Sequence, residues 1–445
     1  MSAMALGRGK GAKTKGSKRR RRPHSPEYNM LLTATLCLLA LGAVMVFSAS
    51  STTRVLQDGG LSDSAFYLKR TLIFGAVGLL IMHFVARHGL DFVRKLTPVI
   101  LGISFFLLFA VLVVGTEVNG ATRWLGGGFL QIQPSEIAKV ALVLYAADLL
   151  ARKPKQAQSL EGMMPILLVV GASALLIMLQ PDMGTTMVTT FAVGATLIAS
   201  GARPVDLGKI ALVLGGLALL MAVIEPYRMA RLTAFLNPTA DASGAGFQAA
   251  QAKIALGSGG LFGVGIGNGV QKAFYLPEAH TDMISAVIGE ELGLVGIAGV
   301  VGLFAMFGYA GLKTAQKAKD RYGKILVAGL TSLVLVQATI NLFAVMGLAP
   351  LTGVPLPFVS YGNSSLMATL FAVGLILNVA GGGRAAARKS TPTRAGKLRV
   401  VQGGRSPARE RSRASGARKA KSGGGGGGNR GARRARHGGR RRASG

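Results

Sequence analysis

The chain has 445 residues, half of them hydrophobic, with 51 Lys and Arg against 18 acids, a formal charge of +33 and one cysteine, Cys37. A soluble chain of this length makes two or three domains at roughly 150 residues each, but here the apolar residues gather in runs of about 17–25, the length a helix needs to cross about 30 Å of hydrocarbon. A single cysteine excludes an intrachain disulfide and a Cys-built metal cluster; the absence of HExxH, nucleophile-elbow and EF-hand patterns, and the failure of GSGGLFGVGIGNG at 257–269 to match GxGxxG or GxxxxGK[ST], leave soluble hydrolase, zinc-enzyme and nucleotide-site readings without support.

In chain order, residues 1–28 hold nine Lys and Arg with one acid and read as a disordered basic cytoplasmic tail. The run Met30 to Ser48 after them has the outline of a cleavable signal, but its loss would break the topology that follows. Ten spanning helices are predicted, at about 29–50, 70–87, 97–115, 135–151, 163–179, 184–201, 207–224, 284–311, 325–348 and 362–380. The fold class is therefore an all-α polytopic membrane protein, with a transmembrane domain over 29–383. Every loop assigned to the inside is basic, including Arg87/Arg94/Lys95, Arg152/Lys153/Lys155 and Lys313 to Lys324, so both termini are expected in the cytosol. Residues 225–283 form one large extracytoplasmic loop between helices seven and eight, in which PYRMARLTAF fits a basic, apolar helix lying on the membrane. Residues 349–361, PLTGVPLPFVSYG, are too apolar for an ordinary loop and too rich in proline for a helix, and are expected to fold back and line a cavity. Residues 384–445 form a second disordered basic cytoplasmic tail around GGGGGG at 423–428. The tails hold most of the positive charge; the absence of interleaved aromatic residues argues against a specific nucleic-acid partner and favours anionic lipid or simple cytosolic retention.

Charge at membrane depth usually has a job, and the stretch YLPEAHTDMISAVIGEELG at 275–293 places Glu278, His280, Asp282, Glu290 and Glu291 at the mouth of the eighth helix. Asp282, with Thr281 beside it, reads either as a helix cap and dipole partner or as part of a row of acids lining an outward cavity. The Ser285/Gly289/Gly293 stripe is expected to let another helix approach closely. Arg123, Glu136 and Lys139 read either as a local ion pair with a neighbouring cation, since residues 136 and 139 share a helix face, or as a basic site for a phosphate. Asp182 in QPDMG reads as a turn residue or a site acid. GSGGLFGVGIGNG at 257–269 reads as a hinge or a backbone wrapped around substrate.

Seven motifs in order, TRW at 122–124, QPSEIAK at 133–139, QPDMGT at 180–185, PYRMARLTAFLNP at 226–238, GSGGLFGVGIGNG, YLPEAHTDMISAVIGEELG and TGVPLPFVSYGNSS at 352–365, resemble the SEDS family (shape, elongation, division and sporulation) of peptidoglycan polymerases. Ala279 in PEAHTD and the long basic tails look more like the division branch, FtsW, than the elongation branch, RodA; Asn363 and Met283 depart from the family pattern. The resemblance implies a ten-helix bundle acting as a glycosyltransferase on lipid II at the outer face of the cytoplasmic membrane, at the division septum. It implies Asp282 as catalytic residue and general base. Arg123 and Lys139 are then diphosphate contacts, and Glu136, His280, Glu290 and Ser360 line the substrate site. Implied partners are a class B penicillin-binding protein, a transpeptidase, and other division proteins. A divalent cation, Mg2+ or Mn2+, fits the chemistry, and no organic cofactor is expected. A lipid II flippase, an elongation-type polymerase and a non-catalytic division scaffold remain as rival readings.

Overall fold

The computed structural model describes residues 25–57, 65–118, 121–128, 130–224, 226–237 and 244–382; the expected tails lie outside these residues except for 25–28, where the first helix already begins at Pro26. The described chain runs α1 (Pro26–Gln57), α2 (Phe66–His88), α3 (Leu90–Val114), β1 (Thr116–Val118), β2 (Ala121–Gly127), β3 (Leu130–Ile132), α4 (Pro134–Arg152), α5 (Leu160–Met178), α6 (Met183–Ser200), α7 (Pro204–Ile224), α8 (Pro226–Leu236), α9 (Ala245–Ser258), α10 (Gln271–Phe274), α11 (Ile284–Lys317), α12 (Arg321–Val345) and α13 (Asn363–Ala380). A helix stands at each of the ten predicted positions. The largest shifts are at the end of α1, which runs on to Gln57, and at the start of α3, which begins at Leu90 because Pro98 sits inside the helix rather than at its start.

Eight of the described helices are long and apolar enough to cross a membrane: α1, α2, α3, α5, α6, α11, α12 and α13. Their outer faces are apolar where a water-soluble protein would be polar, with Leu80 and Phe106 70% exposed, as expected of surfaces that meet lipid. The other two predicted spans, α4 and α7, are helices of 19 and 21 residues. α4 carries four charged side chains, Glu136, Lys139, Asp148 and Arg152, yet most of it is buried among its neighbours. Its alanines at 138, 141, 146 and 147 are nearly inaccessible and let α6 and α12 approach closely.

Two features depart from the all-α, long-loop expectation. Residues 116–132 form a three-stranded antiparallel sheet in the order β1-β2-β3, and within 225–283 the expected helix over PYRMARLTAF, α8, is followed by two further helices, α9 and α10. The 349–362 segment is irregular and buried, as expected: Leu351, Val354, Leu356, Phe358 and Val359 are all under 9% exposed. Gly42 of α1 makes room for it, since a Cβ there would stand 2.6 Å from the Phe358 carbonyl oxygen.

The glycine-rich stretch has a specific structural use. α11 breaks at Gly293, which takes φ 66°, ψ −161°. The break frees backbone groups that cannot stay unpaired in an apolar setting, and the loop fills it. Val264 and Gly265 N–H donate to the carbonyls of Glu290 and Glu291, both at 3.0 Å, while Leu294 and Val295 N–H donate to the carbonyls of Gly260 (3.0 Å) and Leu261 (3.1 Å). The approach is so close that a Cβ on Gly263 (φ 79°) would lie 2.1 Å from the Glu291 carbonyl oxygen. Gly263→Ala is therefore expected to cost about 2 kcal/mol or more and lower the melting temperature in detergent. Gly257→Ala, in α9 with nothing within 4 Å of the new methyl, should leave it unchanged. Equal melting temperatures for the two would refute the splice. α11 thus consists of a short half, 284–292, and a long half, 294–317. Asp282 stands at the head of the short one.

Candidate active site

Asp282 lies two residues before α11, in a turn that begins at Glu278. Glu278 adopts φ 56°, a left-handed conformation that a residue with a Cβ holds only under constraint. The Thr281 hydroxyl lies within hydrogen-bond reach of the Glu278 carboxylate (2.9 Å) and of Asp282 Oδ1 (3.3 Å). The backbone of Asp282 is pinned from the other side: Asn341 Nδ2 of α12 donates to the Asp282 carbonyl (2.7 Å) and to the Val354 carbonyl (2.8 Å). The cap reading fails here, because the position before α11 is Met283 and no side chain caps the helix.

Three charged side chains converge on Gly353. A Cβ at that glycine would stand 3.9 Å from Asp282 Oδ2, 3.9 Å from Arg231 Nη1 and 4.0 Å from Arg123 Nη1. Both guanidiniums are fixed by backbone carbonyls. Arg231, on α8, donates to the Leu351 carbonyl at 2.8 Å. Arg123, on β2, donates from Nε to the Gln180 carbonyl (3.2 Å) and from Nη2 to that of Pro181. The small sheet exists to bring Arg123 to this point, across the α5–α6 turn. That turn is held in place by Asp182, which caps α6 through the Thr185 N–H (3.1 Å) and accepts from Gln133 Nε2 (3.1 Å), so its turn reading holds. Burial pushes the Asp282 carboxyl up to about 6, with the nearby Glu278 charge adding to the rise and Arg231 opposing it.

Of the other predicted site residues, five are placed differently from expectation, among them Glu136, which is 1% exposed and paired with Lys139 rather than lining the substrate site. Lys139 is not a free phosphate ligand: its ammonium is buried, paired with Glu136 at 2.8 Å and bonded to Gln337 Oε1 at 2.8 Å. α4 is packed inside the bundle, so the charges at residues 136 and 139 neutralise each other there. Glu290 does not line an open cavity, because its Oε1 accepts from Val270 (2.8 Å) and Gln271 (3.1 Å) N–H and the residue is 2% exposed. Ser360 is turned inward, its Oγ accepting from the Leu356 N–H at 2.8 Å to close the buried loop. His280 is partly exposed but stands between Tyr67 (ring centroids 4.3 Å apart) and Tyr361 (5.5 Å), on the α2 side of the turn. The Ser285/Gly289/Gly293 stripe does admit a neighbour: a Cβ at Gly289 would meet Leu256 of α9 at 2.3 Å.

Arg231 is the residue that sequence reasoning left out of the site. Its signal is present in PYRMARLTAF, whose cations fit a membrane-surface helix because nothing local ties α8 to a loop 120 residues away. Among the described residues, no group of three or more His, Cys, Asp or Glu side chains comes together to hold a metal ion.

Residues 28–384 match the cell cycle protein family FtsW/RodA/SpoVE. The chain is 41% identical to stage V sporulation protein E of Bacillus subtilis, over 79% of this chain and 96% of that one. It is 39% identical to the probable peptidoglycan glycosyltransferase FtsW of Trichlorobacter lovleyi, covering 80% and 94% respectively. Among solved structures, it is similar to a chain of a peptidoglycan synthase complex described as coordinating polymerization and crosslinking (29% identity, TM-score 0.65, 79% and 96% covered). It is also similar to the rod shape determining protein RodA of Thermus thermophilus (28% identity, TM-score 0.58, 79% and 95% covered).

Proposed function

The chain belongs to the FtsW/RodA/SpoVE family of cell cycle proteins, and we propose that it is a peptidoglycan glycosyltransferase that polymerises lipid II at the outer face of the cytoplasmic membrane. The observation that carries this reading is the convergence of one carboxylate and two guanidiniums on Gly353. Glycan growth joins a hydroxyl of one lipid-linked sugar to the anomeric carbon of another. Asp282 takes the proton of the acceptor hydroxyl as its oxygen attacks. The bond from the anomeric carbon to the diphosphate breaks, and the charge that collects on the leaving diphosphate is met by Arg123 and Arg231. A carboxyl with its pKa near 6 suits this work: it is ionised at neutral pH but remains a stronger base than an ordinary aspartate.

The similarity to proteins named FtsW supports a septal role, with an elongation-type role as the alternative. The basic inside loops support a cytosolic position for both termini. A class B penicillin-binding protein is the proposed partner, supported by the likeness to a chain of a complex that couples polymerization to crosslinking. The test is polymerisation of lipid II by the purified protein with and without its cognate transpeptidase. Glycan chains are expected with the partner. Translocation of lipid II across vesicles without any glycan product would favour the flippase instead.

Arg231 also tunes the base. Its charge lowers the Asp282 pKa, so Arg231→Gln should raise that pKa and move the acid limb of the rate profile to higher pH. An unmoved limb would separate Arg231 from Asp282.

A further inference from the structure

Behind the half-helix that carries Asp282 lies a buried charged cluster that the proposed chemistry does not use. Glu291 is fully buried; its Oε1 meets the Lys272 ammonium at 2.5 Å and its carboxylate accepts from Ser48 Oγ of α1 at 2.7 Å. Lys272 is 3% exposed and also donates to Ser48 Oγ at 2.8 Å. Glu290, next in sequence, holds the N–H groups of Val270 and Gln271. Two consecutive carboxylates at the foot of the half-helix therefore grip residues 270–272, and Ser48 ties that grip to α1. The same loop enters at the break, where residues 260–265 are bonded to Glu290, Glu291, Leu294 and Val295. Residues 259–283 thus leave the half-helix at its foot and rejoin it at its head, at Asp282.

A buried ion pair is a poor source of stability, since apolar residues of similar volume hold helices together as well or better. What it supplies is a fixed direction and register between the two parts it joins. We propose that Lys272, Glu291 and Ser48 are positioning residues for Asp282, holding the half-helix and its loop against α1 so that the carboxylate faces Arg123 and Arg231. The inference rests on the reading of Asp282 as the base.

The test uses the full chain with its transpeptidase partner and compares Ser48→Ala, Lys272→Arg and the double variant Lys272→Met/Glu291→Leu, which removes both charges together. Melting temperature, kcat and KM for lipid II are measured for each, with Asp282→Ala in the same assay. The double variant is expected to melt close to wild type, with kcat at least tenfold lower and KM within about twofold. Ser48→Ala should lose threefold or more in kcat, and Lys272→Arg should keep most of it. Wild-type kcat in a folded double variant overturns the proposal, as does a loss that only follows the folded fraction. Should the double variant not fold, Ser48→Ala decides alone, and wild-type kcat there overturns the proposal equally. An active Asp282→Ala would instead remove the base reading itself, whatever the cluster variants do.

Discussion

Asp282→Asn is expected to fold as wild type and to polymerise lipid II at least about 10²-fold more slowly. The asparagine keeps the shape and the contacts of the backbone, which is held by Asn341 rather than by the side chain, so stability should change little. It cannot take a proton from the acceptor hydroxyl. The wild-type rate should fall with acid through a limb near pH 6, because burial disfavours the charged carboxylate and holds its pKa at about 6. Below that limb the group is protonated and inert as a base; above it the carboxylate is present and the rate levels off. Rates measured across this range, with folding checked at each pH, decide the matter. Near-normal polymerisation by the asparagine variant, or a flat profile between about pH 5 and 7, would leave Asp282 a turn residue.

The membrane helices were legible because hydrocarbon demands long apolar runs whatever the packing. Asp282 was legible for the opposite reason: a carboxylate at the mouth of such a run is costly and stands out, although its assignment as a base came from the resemblance. Residues that depend on three-dimensional partners were not readable. Lys139 and Arg123 look alike in sequence, each a cation near a predicted helix or loop. Only packing shows that Lys139 is taken up by Glu136 and Gln337 inside the bundle, whereas Arg123 is carried to Gly353 by the sheet over 116–132. In sequence Glu290 and Glu291 extend an acidic row, because they follow Asp282 along one helix. The break at Gly293 and the inserted loop give them different partners, and a single glycine within an apolar stretch gives no warning of a break.

The Glu136–Lys139 pair makes the second large prediction. Both side chains are 2% exposed, and Lys139 also reaches Gln337, which donates to the Pro355 carbonyl at 3.0 Å. Glu136→Ala leaves the lysine ammonium buried with a neutral amide oxygen as its remaining acceptor, and should cost about 3–5 kcal/mol, seen as a large fall in melting temperature in detergent. Glu136→Leu/Lys139→Met removes both charges and should recover most of that loss, since the helices then meet through apolar groups and no charge is stranded. A phosphate-binding lysine would behave otherwise. Lys139→Met would then raise KM for lipid II at nearly unchanged stability, and the double variant would be no better than the single one. Recovery of stability by the double variant, with any remaining loss of rate traced through Gln337 to the segment that carries Gly353, is what a structural pair beneath the site requires.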